Sequence, residues 1–372
     1  MTPAARVQAA IELLDQIIVA AHENGAAADT LIARYFTTRR YAGSKDRRGV
    51  RELVYAAIRR AGEIPASGRA AMIGLASEDA ALVALFNGAN NCPAPISPDE
   101  PVAPAGIAPR WLVEKLGELS GLLDRAPLDL RVNRLKATRA DVLALFPNAT
   151  PTPYSPDGIR FAEPVPIDIA EGLVEVQDEG SQLIALATDA APGMTVVDLC
   201  AGAGGKTLAL AAMMQNKGRL IACDVDRSRL SRLQPRAERA GATRIETILL
   251  DPGREAEALA DIAADIVLVD APCSGTGTWR RNPEARWRLT PARIDRLMAL
   301  QARVLDIGAN LVKPDGLLVY AVCSLLPEEG RVQVDAFLAA HPEWRLDVPA
   351  RTLTPASDGT DGFFIACLRR SC

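Results

Sequence analysis

The N-terminal quarter of the chain carries apolar residues at helical spacing. Val7, Ile11, Leu14, Ile17 and Ile18 recur every three or four positions, which is the pattern of one buried helix face. The same spacing resumes further along, at Leu31, Tyr35, Val50, Leu53, Val54 and Ile58. Residues 1–88 are therefore predicted to form a helical bundle, and the proline-rich segment 89–107 a linker.

A small α+β unit is predicted over residues 108–185. Pro109 suits the first turn of a short helix over 109–116. Segment 130–135 is predicted to be a strand and 139–145 a helix. Pro156-Asp157-Gly158 indicates a turn that leads into a second strand.

Residues 186–372 alternate between apolar runs and helical patterns. The runs predict strands near 195–199, 219–223, 246–250, 266–269 and 316–322. This alternation is typical of a doubly wound, mostly parallel sheet. The predicted fold class is α/β, with a Rossmann-like domain preceded by the small α+β unit and the N-terminal helical bundle.

The first of these strands ends at Asp198 and runs into a glycine-rich loop, Ala201-Gly202-Ala203-Gly204-Gly205-Lys206-Thr207. Ligands of open α/β sheets bind at the carboxyl ends of strands. A phosphate-binding P-loop is excluded, because Cys200 stands where its first glycine belongs. A dinucleotide fingerprint fits only in part, because Thr207 replaces its third glycine.

A third interpretation of the loop is an S-adenosylmethionine site formed by Asp198, Gly202, Gly204 and Gly205. Glycine lets the backbone approach a ligand closely, and a carboxylate suits the ammonium and sulfonium cations. The next strand ends at Asp224, where an acidic residue can hold ribose hydroxyls. Loop and acid together favour a ligand site over a glycine turn that only packs a helix on a strand.

Two cysteines follow later strands, in Asp270-Ala271-Pro272-Cys273-Ser274 and Val322-Cys323-Ser324. A thiolate that adds to cytosine C6 lets C5 accept a methyl group, and loss of the C5 proton then expels the sulfur. Lys206 would assist electrostatically, and Asp270 would orient the base through its N3/N4 edge. Trp279 and the arginines behind it are expected to lie along RNA. The remaining cysteines are expected to be small buried hydrophobes: Cys92, Cys200, Cys223, Cys367 and Cys372.

Composition narrows the class of protein. The chain of 372 residues has a formal charge of −4, and no run of some eighteen uncharged apolar residues or signal-peptide core appears, so a cytoplasmic protein is expected. Seven cysteines without Cys-x-x-Cys spacing and two histidines predict neither a disulfide framework nor a metal site.

Two segments of the chain are rich in basic residues. Segment 34–60 has nine basic and two acidic residues, and segment 280–296 has six basic and two acidic residues. They favour phosphate contacts, although each alone is more typical of a solvated helix face.

Several motifs in order resemble one family. The segments 270–277, 323–329, 198–207 and 361–364 closely resemble the Sun/RsmB-type RNA cytosine-5 methyltransferases. The likeness extends through 130–136 and 176–182, so it covers roughly residues 108–372. Segments 43–48 and 53–55 also resemble that family's NusB-like RNA-binding extension.

The resemblance implies S-adenosylmethionine-dependent formation of 5-methylcytosine in RNA. Ribosomal RNA is the expected substrate and tRNA the alternative, with no metal or membrane partner and a monomer as the default state. Cys323 would be the C6 nucleophile, and Cys273 would assist product release. DNA cytosine methyltransferases place the nucleophile in a Pro-Cys motif, so Cys273 is the competing candidate. The residues implied around the cofactor and target base are Asp198, Cys200, Ala201, Gly202, Gly204, Gly205, Lys206, Asp224, Arg229, Asp251 and Asp270.

The sequence departs from the family pattern at two positions, and two other functions compete with the one that the resemblance implies. Val322 and Gly330 stand where the family commonly has threonine and asparagine. One rival is a non-catalytic RNA-binding or assembly protein, which the intact Asp198, Asp270 and thiols disfavour. The other is a nicotinamide-dependent enzyme, which the missing third glycine disfavours.

Overall fold

The computed structural model describes residues 1–23, 25–117, 119–163, 165–169 and 171–371. By internal contacts the chain divides into two units. Unit 1 comprises residues 1–124 and 278–290, and unit 2 comprises 125–277 and 291–372. The four-part division at 88, 107 and 185 stays a prediction. Within the described ranges, no helix is both long and apolar enough to cross a membrane.

Unit 1 is helical, as its apolar spacing predicts. Thr2 caps its first helix by accepting a hydrogen bond from Ala5 N (3.2 Å), and Pro3 occupies the first turn, where a missing N–H costs nothing. Val7, Leu14, Val54 and Ile58 lie in its core. Its helices are α1 (Pro3–His22), α2 (Ala28–Thr37), α3 (Ser44–Arg60), α4 (Gly68–Ala76), α5 (Ala80–Val83) and α6 (Arg110–Val113).

Helix α6 is shorter than the predicted 109–116. Pro109, Leu112 and Leu116 are the buried residues of that stretch, and the chain continues as turns after Val113. A helix this short gains little from propagation, since nucleation is costly.

Unit 2 begins with a small antiparallel sheet of strand order β2-β3-β1-β4. Its first strand starts two residues earlier and ends three residues earlier than predicted. The reason for the early end is Asn133, whose side-chain amide donates to Gly172 O and Ala240 O (both 2.8 Å) and so turns the chain. The elements are β1 (Leu128–Val132), α7 (Arg139–Leu145), β2 (Thr150–Pro151), β3 (Gly158–Phe161) and β4 (Val174–Val176).

The large sheet of unit 2 follows the predicted alternation. Its strands are β5 (Thr195–Asp198), β6 (Arg219–Asp224), β7 (Ile245–Leu249), β8 (Ala264–Asp270), β9 (Val312–Val322), β10 (Trp344–Leu346), β11 (Arg351–Leu353) and β12 (Phe363–Arg370). Its helices are α8 (Glu179–Leu186), α9 (Gly205–Met213), α10 (Arg227–Leu230), α11 (Leu233–Ala240), α12 (Glu255–Ala258), α13 (Pro291–Leu311), α14 (Arg331–Ala340) and α15 (Pro355–Asp358).

The strand order β7-β6-β5-β8-β9-β12-β10 reverses direction between β5 and β8. Strands β5 to β9 run parallel, and β12 runs antiparallel to β9. Val196 and Val197 belong to different apolar clusters, because successive strand residues face opposite sides of a sheet. Since ligands bind where the strand order reverses, the ends of β5 and β8 mark the expected site.

Candidate active site

The loop between β5 and α9 has a backbone that only glycine adopts easily. Gly204 precedes α9 in the left-handed region, with φ 86°. A Cβ atom built there would lie 2.1 Å from Leu233 Cδ1. The glycine therefore lets the loop turn sharply and pack against α11, which leaves the amino end of α9 facing the end of β8.

Asp198, the last residue of β5 before this loop, is fully buried. Its Oδ2 atom accepts a hydrogen bond from Thr207 Oγ1 (2.7 Å), while Oδ1 is buried and has no hydrogen-bond partner among the described residues. Burial raises the pKa of Asp198 to about 7, because a charged carboxylate loses its hydration there. An orphaned buried oxygen beside a cleft fits a cationic or hydroxyl-bearing ligand.

The acid at the end of β6 supports the same loop. Asp224 Oδ2 accepts from Gly202 N (2.7 Å), and Oδ1 accepts from Asp226 N (2.8 Å). Each carboxylate oxygen can accept a further bond, so these contacts hold Asp224 in place without exhausting it. Asp251, which follows β7, is exposed.

A cleft of about 160 Å³ opens over the ends of β5 and β8. Seven residues of the predicted site line it: Asp198, Cys200, Ala201, Gly205, Lys206, Arg229 and Asp270. The sequence-based site did not include Gln177, Ser181 and Ala203, which also line it. Gln177 and Ser181 lie in the 176–182 segment that resembles the family, and this resemblance is the feature of the sequence from which they could have been predicted. Gly202, Gly204, Asp224 and Asp251 are not among the lining residues.

Lys206 and Asp270 join the two sides of this cleft. Lys206 Nζ lies 2.6 Å from Asp270 Oδ2. Burial alone would lower the pKa of Lys206, but the charge and hydrogen bond of Asp270 outweigh it and the pKa is raised. The nearby Cys323 sulfur acts in the same direction. Lys206 is therefore a cation held beside a thiol.

The two cysteines that follow β8 and β9 lie side by side. Cys273 Sγ and Cys323 Sγ are 3.3 Å apart, and both residues are half-buried. The hydrogen bond with Cys323 and burial raise the pKa of the Cys273 thiol well above its ordinary value. Cys273 is thus a protonated thiol in contact with Cys323.

The other cysteines differ in their surroundings. Cys223 and Cys367 are buried as predicted, and burial raises their pKa values to about 12 and about 11. Cys92 is only half-buried, and Cys200 is half-buried and lines the cleft. The prediction that these two cysteines are small buried hydrophobes is therefore wrong. Cys372 lies outside the described residues.

The expectation that Trp279 stacks on RNA is wrong. Its side chain is fully buried in unit 1. Arg286 is also fully buried, and its guanidinium donates to the carbonyl oxygens of Ile58 (2.6 Å) and Ala61 (2.9 Å). Part of the second basic segment is therefore structural. No group of acidic, histidine or cysteine side chains in the described ranges is arranged to hold a metal ion.

One departure from the family pattern has a structural reason. A Cβ atom at Gly330 would lie 2.8 Å from Phe364 Cγ, so asparagine would not fit beside this ring without a shift. Nothing in the structure explains Val322, which is buried in β9.

Comparison with known proteins gives a consistent result. The family model described as 16S rRNA methyltransferase RsmB/F matches residues 185–369. Ribosomal RNA small subunit methyltransferase B of Salmonella typhi is 37% identical over an alignment 286 residues long, and the match covers 70% of this chain and 66% of that protein. The chain belongs to the RsmB/F methyltransferase family. The predicted Sun/RsmB resemblance is thereby confirmed, and the match spans about two thirds of the length of this curated relative.

Solved structures agree with the fold class of this RsmB/F family member. The crystal structure of the protein PH0851 is 25% identical, with a TM-score of 0.79 over 100% of this chain and 99% of that one. A methyltransferase homologue from Pyrococcus horikoshii is 29% identical, with a TM-score of 0.61 over 68% of this chain and 89% of that one. The predicted α/β, Rossmann-like fold with a helical N-terminal region is confirmed.

Proposed function

We propose that this RsmB/F family member is an S-adenosylmethionine-dependent RNA methyltransferase that forms 5-methylcytosine, with ribosomal RNA as its substrate. The observation that carries the proposal is the 3.3 Å contact between Cys273 Sγ and Cys323 Sγ at the ends of β8 and β9. Neighbouring strand ends deliver both thiols to the side of the sheet where the Lys206–Asp270 pair lines a cleft.

The cleft fits the proposed cofactor. Asp198 offers a buried oxygen without a partner among the described residues, and Gly205 lines the cleft without a side chain that would narrow it. Asp198, Asp224 and Arg229 would hold the cofactor, and Gln177 and Ser181 would form the opposite wall. When bound, S-adenosylmethionine supplies an activated methyl group on its sulfonium.

Each thiol has its own task in the proposed reaction. Cys323 adds as thiolate to cytosine C6, which makes C5 nucleophilic; after C5 is methylated, loss of the C5 proton re-forms the double bond and expels the sulfur. Lys206 stabilises negative charge at Cys323. Asp270 holds the N3/N4 edge of the base, and Cys273 assists release of the product from the adduct.

The test is methyl transfer from labelled S-adenosylmethionine to small-subunit rRNA, with tRNA as the alternative substrate and bisulfite sequencing to locate the product. Cys323→Ala should abolish turnover, and Cys273→Ala should accumulate a covalent RNA–protein adduct. Cys92→Ala, a thiol of unit 1, is the control and should behave as wild type. Loss of the adduct in Cys273→Ala alone would reverse the two roles.

The non-catalytic alternative makes a different prediction in calorimetry. A protein that only binds or assembles RNA has no need of the cofactor, so it would show no heat of S-adenosylmethionine binding. Binding that Asp198→Asn weakens would instead support the enzyme.

A further inference from the structure

Glu329 is a buried carboxylate that follows β9 and has an unusual set of donors. Its side chain is fully buried. Oε1 accepts from Ser274 N and from Gln301 Nε2 (both 2.9 Å). Oε2 accepts from Ser324 Oγ (2.5 Å) and from Ser274 Oγ. A carboxylate group only accepts hydrogen bonds, and its two oxygens have room for the four donors found here.

Three of the four donors belong to the two cysteine loops. Ser274 follows Cys273 directly, and Ser324 follows Cys323 directly. One side chain therefore fixes the residue after each thiol. The backbone pairing between β8 and β9 ends at Asp270 and Ala321, and beyond that point the side-chain bonds of Glu329 help to join the two loops.

Further bonds join the same two loops around Glu329. Gln301, on α13, uses the same amide nitrogen to donate to Pro272 O (2.9 Å), immediately before Cys273. Thr276 Oγ1 accepts from Leu325 N (2.8 Å), and Gly277 N donates to Cys323 O (3.1 Å). The Glu329 carboxylate lies at the centre of this network, and hydrogen bonds in the interior of a protein are stronger than the same bonds in water.

We propose that Glu329 is a positioning residue that holds Cys273 and Cys323 in contact, so that both thiols meet the same pyrimidine ring. The proposal rests on the proposed function for its purpose, but the positioning itself is a property of the free protein. It can therefore be measured without RNA or cofactor.

The direct test is the rate at which the two thiols form a disulfide. Diamide takes two electrons and two protons from the pair, becomes a hydrazine, and leaves a Cys273–Cys323 bond that peptide mapping detects. Since the rate reports the effective concentration of one thiol at the other, Glu329→Ala should lower it by about tenfold or more. Glu329→Gln keeps one accepting oxygen and should give an intermediate rate.

Asp265→Asn is the matched control. Asp265 accepts from Thr195 N and from Lys313 Nζ (both 2.7 Å), and so ties the starts of β5 and β9 at the opposite edge of the same sheet. This variant loses a tethering carboxylate without touching the thiol loops, and its disulfide rate should equal that of wild type. A Glu329→Ala rate within about twofold of wild type would overturn the proposal.

Circular dichroism shows whether Glu329→Ala folds. If it does not, Ser324→Ala removes one of the four donors and leaves the other three in place. Its disulfide rate should then fall by about threefold, and an unchanged rate would overturn the proposal equally.

A second readout follows the charge of Glu329. Its carboxylate is one cause of the raised pKa of Cys273, so alkylation of Cys273 should become faster at a given pH in Glu329→Gln. Asp265→Asn, which leaves both thiol loops unchanged, should leave that pH profile unmoved. If wild type forms the disulfide as expected but transfers no methyl group to RNA, the proposed function fails while the role of Glu329 stands.

Discussion

Lys206 Nζ lies 2.6 Å from Asp270 Oδ2, and this contact spans the point where the strand order of the sheet reverses. Lys206 comes from the first turn of α9, and Asp270 is the last residue of β8. The glycine loop and the strand that leads to Cys273 are thereby joined by one half-buried ion pair. Breaking such a pair by removing one partner leaves the other charge uncompensated.

Replacing Lys206 with methionine should slow the chemical step. The substitution keeps a long apolar stem but removes the cation beside Asp270 and Cys323, so the thiolate of Cys323 becomes harder to form. We expect single-turnover methylation at saturating cofactor to fall about 10²-fold, which is the low end for loss of a charge that acts on a reacting group.

The control for this prediction is Lys217→Met. Lys217 follows the other end of α9 and is exposed, so the same chemical change there should leave the rate unaltered. Equal rates for Lys206→Met and wild type would contradict a role for Lys206 in thiolate formation.

Asp198 should make the cofactor-free protein less stable as the pH rises. Burial raises its pKa from 3.8 to about 7, so between these values the folded state keeps a proton that the unfolded state has released. The free energy of unfolding contributed by this group is therefore full below pH ~4 and is lost as the pH rises through ~7. Asp198→Asn cannot ionise, and its free energy of unfolding relative to wild type should increase across that window by up to ~4 kcal/mol, at about 1.4 kcal/mol per pKa unit.

Urea unfolding at a series of pH values measures this difference, with Asp265→Asn as the comparison. Burial would raise the pKa of Asp265, but its bonds to Lys313 and Thr195 lower it overall. Its ionised form is thus stabilised above the unfolded pKa, and stability is lost only as the pH falls further. The Asp265→Asn difference should stay flat where the Asp198→Asn difference rises, and parallel slopes would refute the burial effect at Asp198.

Much of the fold follows from local pattern. Strands β6, β8 and β9 each contain an apolar run of four or more residues, and Asp198, Asp224 and Asp270 are the last residues of β5, β6 and β8. A strand buried on both faces must be apolar throughout, and a polar residue is tolerated only where the strand reaches a cleft. The positions of the cofactor loop and of both thiols were predictable for this reason.

Other features depend on contacts between distant segments. Trp279 and Arg286 belong to a sequence rich in arginine, yet Arg286 satisfies backbone carbonyls of α3 and the residue that follows it. Charge density alone does not distinguish an RNA-binding arginine from one that caps a helix end. Gln177 precedes the large sheet by almost twenty residues, and only the packing of α8 brings it to the cleft.

Gly204→Ala should destabilise the protein by two separable effects. An L-residue at φ 86° costs about 1–2 kcal/mol of backbone strain. The Cβ atom would also lie 2.1 Å from Leu233 Cδ1, and such overpacking adds about 1–3 kcal/mol. Gly193→Ala isolates the first effect, because its φ is 94° and a Cβ atom there meets nothing within 4 Å. Urea unfolding should therefore show a larger loss for Gly204→Ala, and equal losses would mean that Leu233 moves aside freely.

The exposed cations of unit 1 should contribute RNA affinity through phosphate contacts. Arg40, Lys45 and Arg48 are exposed, and Tyr41 between them keeps 73% of its surface accessible. Arg39 and Arg51 are instead engaged with Glu12 and Asp29. Within the described part of the chain, Arg40, Lys45 and Arg48 form no ion pair. Tyr41, which follows Arg40 directly, offers an aromatic ring on which a base can stack.

The triple variant Arg40→Gln, Lys45→Gln and Arg48→Gln should bind RNA more weakly and with a smaller dependence on salt. Each lost phosphate contact lowers the slope of log affinity against log salt by about 0.7 for a single strand, so three contacts give a change of about 2. Lys217→Gln, Arg244→Gln and Arg254→Gln remove the same charge from exposed positions of unit 2. If both triple variants shift the slope equally, unit 1 attracts RNA only through net charge; a shift confined to the unit 1 variant places the contact on this surface.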